Sequence, residues 1–284
     1  MSIRSLVGCG LLAVMAAAQA LPDGLSVFSA AGGNVTLSQG PDGLLVVGSF
    51  DGALDADTLT AIGETLPRLV IDSDPDDAAL SATGDGAAAL RREGGAVRTT
   101  IAALLKREAR KPFKTEAATA RPIVAFAAGD SFVFNGDEIG IFWIPSGIVS
   151  GASAVLFPGA KTVHLGSLLT PGQYPDIDVS QGGSIAGLIS AIGRLINVAG
   201  PDARYIPQHG PALDRDALIA YRDMLASIRN AVRLSALRGD SLEKIIAESP
   251  PTAAYDAEWG QGAVSSTQFL AIVFESLQNP PEDD

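Results

Sequence analysis

The stretch "FPGAKTVHLGSLLTPGQYPDIDVSQGGS", residues 157–184, carries a turn, a strand, an irregular loop and a helix start in immediate succession. Pro158-Gly159 splits the apolar segment "ASAVLFPGAKTVHLGS" (152–167) into two short buried strands. His164 falls on the second of them, which predicts a satisfied core histidine. The Ser and Gly residues of "SQGGS" (180–184) suit a helix cap, and "SIAGLISAIGRLINVAG" (184–200) has the apolar spacing of a helix stopped by Gly200. A short strand, "ARYIP" (203–207), follows directly.

The same alternation extends outward on both sides. Upstream, "NVTLSQGPDGLLVVGSF" (34–50) reads as a β-hairpin around a Pro-Asp-Gly turn, and "DADTLTAIGETL" (55–66) as a helix capped by Asp. "RLVIDSDPDD" (68–77) is a buried strand entering an acidic loop. Small-residue and charged helical patterns continue to about Arg110. "PIVAFAAGDSFVFNGDEIGIFWIP" (122–145) then supplies two or three strands with Gly-Asp turns. Downstream, residues 214–239 form a long amphipathic helix ending at Gly239, and 241–249 and 265–277 form short closing helices. "QNPPEDD" is a solvated tail. Strand–helix order repeated in two halves, without a linker, predicts one domain with two sheets and helices outside.

Residues 1–20 read as a secretory signal peptide. Arg4 precedes an apolar core from Leu6 to Ala18, and Ala18-Gln19-Ala20 has the small-x-small pattern of a cleavage site. The segment is short for a membrane span. Cleavage removes Cys9, the only cysteine, so residues 21–284 would form a single domain with neither disulfide nor thiolate chemistry, in the periplasm or secreted. The formal net charge of −12 argues against nucleic acid and anionic membrane surfaces as partners. What remains is an unknown small molecule or a periplasmic protein.

The chain has only two histidines. His209 lies in "RYIPQHGP" (204–211), where proline and glycine fix an irregular backbone, so its ring is presented from a loop. Ser146 and Ser167 read as small polar fillers, and Trp143 and Trp259 as packing residues.

Taken in order, "GGNVTLSQGPDGLLVV" (32–47), residues 157–184, "YIPQHGP" (205–211), "LIAYRDMLASIRNAV" (218–232) and "DAEWGQGAVSSTQFLAIVFESL" (256–277) resemble the metallo-β-lactamase fold superfamily, in its exported hydrolase-like members. The resemblance spans about residues 28–277. It implies an α/β (α+β) fold, an αββα four-layer sandwich of two mixed β-sheets with helices on both outer faces. It also implies one or two zinc ions held by histidines and aspartates at the sheet edge, activating water by lowering its pKa towards ~7.

Position by position, those zinc ligands are mostly missing. The loop "DSDPDDAALSATG" has no histidine, and Asp74 and Asp76 meet the two His positions in only one register. Ile148 stands where a histidine is expected, Ala152 where Asp is usual, and Ser167 in place of the bridging Asp. Val47 and Gly48 replace acidic residues after the first hairpin. Only His209 matches a ligand position. One imidazole cannot hold zinc where three or four ligands are the rule, so no cofactor is expected.

Rival motifs are incomplete. Asp72 and Asp74 after an apolar strand resemble the nucleophile loop of haloacid dehalogenase-type phosphatases, without the later lysine and acidic pair. Asp72-x-Asp74-x-Asp76 begins like a calcium loop but has Asp77 where glycine belongs and Thr83 where glutamate belongs. The expectation is therefore a non-catalytic pseudoenzyme serving as a binding or accessory module. The alternative is an active hydrolase with a site remodelled around Asp72, Asp74, Asp76 and His209.

Overall fold

Strand β3 (Gly33–Gly40) alternates Asn34, Thr36 and Ser38 with Val35 and Leu37, and all five are buried. Successive residues of a strand face opposite sides, so β3 is covered on both faces. The polar three point into the space between two sheets. Thr36 pairs with Val27 and Val47, and Val47 belongs to an apolar cluster built from both sheets.

The structure is a computed structural model, describing residues 19–20, 24–30, 33–48, 67–73, 96–100, 124–126, 130–149, 152–248 and 250–280. The expected helix at 55–66, the acidic residues 74–77, residues 1–18 of the expected signal segment 1–20 and the tail beyond 280 lie outside these described residues.

The first sheet runs β1 (Gln19–Ala20), β2 (Leu25–Ala30), β3, β4 (Gly43–Gly48), β5 (Pro67–Asp72), β6 (Ala96–Thr100), β7 (Val124–Phe126). It is antiparallel from β1 to β4 and parallel from β4 to β7. The second sheet has the order β12-β11-β10-β9-β8, with β8 (Ser131–Phe134), β9 (Asp137–Ile144), β10 (Ala152–Phe157), β11 (Thr162–Gly166) and β12 (Arg204–Pro207). Only its β11–β12 pair is parallel. Both sheets are mixed, and each half of the chain contributes one.

Between them, Leu45, Val47, Leu69 and Ile71 of the first sheet pack on Ile139, Ile141, Val155 and Phe157 of the second. Each such side chain contributes about 1.5–3 kcal/mol when fully buried. The outer face of the second sheet carries α1 (Ile185–Ala199), α2 (Arg215–Leu237) and α5 (Ser266–Gln278), whose apolar stripes form a second core with Val163, Leu165 and Tyr205. The short helices α3 (Leu242–Glu248) and α4 (Asp256–Trp259) complete that layer. Ser184 caps α1, Asp214 caps α2, and Ser265 with Gln268 forms a capping box on α5.

Two expectations require correction. Residues 96–100, read as part of a helical stretch, are the strand β6, paired parallel with β5 and β7. Val97, Thr99 and Thr100 are β-branched, and pairing on both sides outweighs the helical look of their neighbours. The haloacid dehalogenase-type reading also fails, because β5 belongs to one mixed sheet of a two-sheet sandwich, not to a single doubly wound parallel sheet.

Three ties cross the sandwich from the inner face of β3. Asn34 Nδ2 donates to the carbonyls of Pro207 and Gly210 at 2.7 and 2.8 Å. Thr36 Oγ1 lies 3.0 Å from His164 Nδ1. Near the far end, Asn135 Nδ2 reaches both the hydroxyl and the carbonyl of Ser38. Asn135 also exchanges bonds with Asp42, which joins the β3–β4 turn to the β8–β9 turn.

Candidate functional site

His209 follows β12, where Pro207 ends the parallel pairing with β11. The loop around it is held by main-chain bonds: Asn34 N–H donates to Gln208 O at 2.6 Å, and Gln208 N–H donates to Gly166 O at 2.8 Å. Asn34 adds its two side-chain bonds and accepts from Ser29 Oγ at 2.6 Å. The approach is close enough that Gly33, at φ +123°, has no room for a side chain against Gln208. The imidazole itself is exposed. A rigid loop thus presents a free ring, as the proline and glycine flanks imply.

The other positions where the resemblance implies ligands, Ile148, Ala152 and Ser167, sit on backbone that is equally well held. The loop 146–148 is clamped onto the start of α1. Asp178 N–H donates to Ile148 O, Ser184 N–H donates to Gly147 O, and Ser184 Oγ donates to Ser146 O. A Cβ at Gly183 would collide with the Ile148 carbonyl, and one at Gly187 with the Ser146 carbonyl. Ile148 is half-buried against the helix-side core; Ala152, opening β10 opposite Ile144, is buried within that core. Ser167 is half-buried on the turn that follows β11, just after Gly166 in the left-handed region at φ +59°.

These residues do not fit a zinc ion. Ile148 and Ala152 offer no donor atom, Ser167 offers a neutral hydroxyl, and His209 is a single imidazole. Among the described residues, no three or more His, Cys, Asp or Glu gather where they could hold a metal. Asp72 closes β5, while Asp74 and Asp76 lie outside the described residues.

His164 is fully buried on β11, as its apolar strand predicts, but it is only half satisfied. Nδ1 has Thr36 as partner, whereas Nε2 has none. Burial, which penalises the charged ring, lowers its pKa from 6.5 to about 4. It is a neutral imidazole at physiological pH.

Sequence reasoning missed Ser73. Its backbone is fixed on both sides, N–H to Gly48 O at 3.1 Å and carbonyl from Ser153 N–H at 3.2 Å, so the end of β5 is tied to the start of β10. Its hydroxyl is buried without a partner, as is the indole Nε1 of half-buried Trp143. A serine following an apolar strand gives no sequence signal of this kind. The other tryptophan, Trp259, packs against Tyr221 with ring centroids 5.0 Å apart, as a packing residue should.

No protein-family profile matches the sequence, and no curated protein matches it by sequence. Solved structures do. A metallo-β-lactamase from Pontibacter korlensis superposes with a TM-score of 0.60 at 18% identity, covering 74% of this chain and 99% of its own. The stereoselective inverting sec-alkylsulfatase Pisa1 from Pseudomonas sp. gives 0.68 at 14% identity, and a double mutant of that enzyme gives 0.69 at 14%. Both cover 95% of this chain, which spans about half (51%) of theirs. With its two mixed sheets, each drawn from one half of the sequence, and helices outside, the chain has the metallo-β-lactamase fold.

Proposed function

We propose that the chain is an exported, non-catalytic protein of this fold, acting as a binding or accessory module. The observation that carries the reading is the contrast at the ligand positions. The loop 146–148 and the turn after β11 keep their backbone ties, yet Ile148, Ala152 and Ser167 supply no zinc ligand. Such a fold hosts many activities, so scaffold alone does not argue for hydrolysis. The apolar segment and small-x-small pattern of residues 1–20 support export. Fixed backbone with its chemistry removed suits recognition of an unknown small molecule or periplasmic protein.

Elemental analysis and calorimetry with zinc, manganese and calcium test this on purified protein. A metal that binds only the folded state stabilises it by ~4 kcal/mol at a thousandfold excess over Kd. The expected result is substoichiometric zinc and a Tm unmoved by chelator. Assays with a β-lactam and a secondary alkyl sulfate, chosen from the structural neighbours, should show no turnover. One equivalent of metal bound at micromolar affinity and lost in His209→Ala would overturn the reading in favour of a remodelled hydrolase.

A further inference from the structure

Of the five asparagines, only Asn135 is followed by glycine. Asn135 and Gly136 are the two loop residues between β8 and β9, where Phe134 pairs with Asp137. Both sit in the left-handed region, at φ 53° and 83°, as a tight two-residue hairpin turn of this kind requires. Gly136 is exposed, and a Cβ there would meet nothing within 4 Å. An asparagine before glycine is chemically unstable, because no side chain shields the following amide nitrogen from the asparagine's own side-chain carbonyl.

The fold holds that side chain elsewhere. Asn135 Nδ2 donates towards three acceptors on the β3–β4 hairpin, Ser38 O, Ser38 Oγ and Gly43 O, each at 3.1 Å. Oδ1 accepts from Asp42 N–H at 3.0 Å, and Asp42 Oδ2 accepts from Asn135 N–H at 2.7 Å. Both ends of the side-chain amide are thus bound to the other sheet, which keeps its Cγ off the Gly136 nitrogen. Reaction requires the two turns to part first.

We propose that Asn135 is a deamidation site gated by the joint between the β3–β4 and β8–β9 turns, and that its reaction breaks this joint irreversibly. Gly136 N attacks Cγ of Asn135; the new C–N bond closes a five-membered imide, and the bond from Cγ to Nδ2 breaks. Nδ2 leaves as ammonia, carrying the Gly136 amide proton. Water then opens the imide at either carbonyl, leaving aspartate or isoaspartate. Aspartate has the shape of asparagine but, when ionised, nothing to donate. It would set a carboxylate against the carbonyls of Ser38 and Gly43, acceptor facing acceptor. Isoaspartate also adds a backbone carbon to a two-residue turn. Neither product rebuilds the clasp.

Peptide mapping by mass spectrometry reads the gate directly, on native protein aged in mildly alkaline buffer with and without guanidinium chloride. Folded protein should deamidate at Asn135 at least about tenfold more slowly than the unfolded chain, since the reaction follows the open population. Asp42→Ala removes one bond of the clasp. It should speed the folded protein at least about threefold, relative to its own unfolded rate. Asn135→Asp, the product made directly, should melt at least about 3 °C lower. A folded rate equal to or above the unfolded one would overturn the proposal. So would an Asp42→Ala protein that reacts no faster, or an Asn135→Asp protein that melts with the native one. None of these readouts involves a metal or a ligand, so they are independent of the binding-module reading.

Discussion

Nδ1 of His164 and Oγ1 of Thr36 meet at 3.0 Å between the two sheets, from residues 128 positions apart in sequence. The bond occupies one ring nitrogen of His164 and leaves Nε2 buried without a partner. A neutral ring tolerates that arrangement; a charged one does not.

Acid should therefore weaken the fold through this residue. Its pKa falls from 6.5 to about 4 on folding, so between those values the unfolded chain binds more protons and stability rises with pH. The contribution is complete above 6.5 and is lost as pH falls towards 4, amounting to about 3 kcal/mol. Urea unfolding of native protein and His164→Gln across pH 4–7 should show a shallower slope in the variant. Parallel slopes would rule out His164 as the source.

Removing the other partner should also be costly. Thr36→Val keeps the shape but leaves both ring nitrogens of His164 unpaired, at an expected cost of about 1–3 kcal/mol. Combining it with His164→Leu should recover part of that loss, because the orphaned imidazole is then gone. Additive losses in the double variant would show that the two side chains are not coupled.

Asn34→Ala should reach the site itself. It deletes two bonds to the carbonyls of Pro207 and Gly210 and leaves those acceptors without the amide, for an expected loss of about 2–4 kcal/mol. The His209 loop should loosen at the same time. The ring C–H resonances of His209, one of two histidines, report this by NMR; unchanged line widths would place the loop's order elsewhere.

At Gly187 the usual sign of a helical substitution should reverse. Glycine to alanine in a helix ordinarily stabilises by ~1 kcal/mol. Here the added methyl meets the Ser146 carbonyl, which is backbone and also accepts from the capping Ser184. Gly187→Ala should destabilise by more than ~2 kcal/mol, read by thermal melting. Gly193→Ala, whose nearest neighbour is the flexible end of Arg222 at 3.9 Å, should not.

Much of this organisation was legible where signals are local. The Pro41-Asp42-Gly43 turn marked the first hairpin, Pro158-Gly159 the second pair of strands, and the proline–glycine flanks the exposed loop of His209. β6 was not legible, because a five-residue parallel strand owes its existence to β5 and β7, distant in sequence. The burial of His164 could be read from its apolar strand, but its partner and the bare hydroxyl of Ser73 could not. Both depend on which residues the second sheet lays over the first, and no periodicity encodes that.

The three polar residues on the inner face of β3 bear on how the sandwich resists sliding. Apolar faces are forgiving: one sheet can shift over another by a fraction of a residue with little loss of contact. Directional bonds are not, since they weaken steeply with angle and distance. Asn34 ties the strand near one end, Ser38 near the other and Thr36 in the middle. A single edgewise displacement would strain all three together. Pulled along the strands, the two sheets should hold their offset until this line gives way and then part abruptly, without creep.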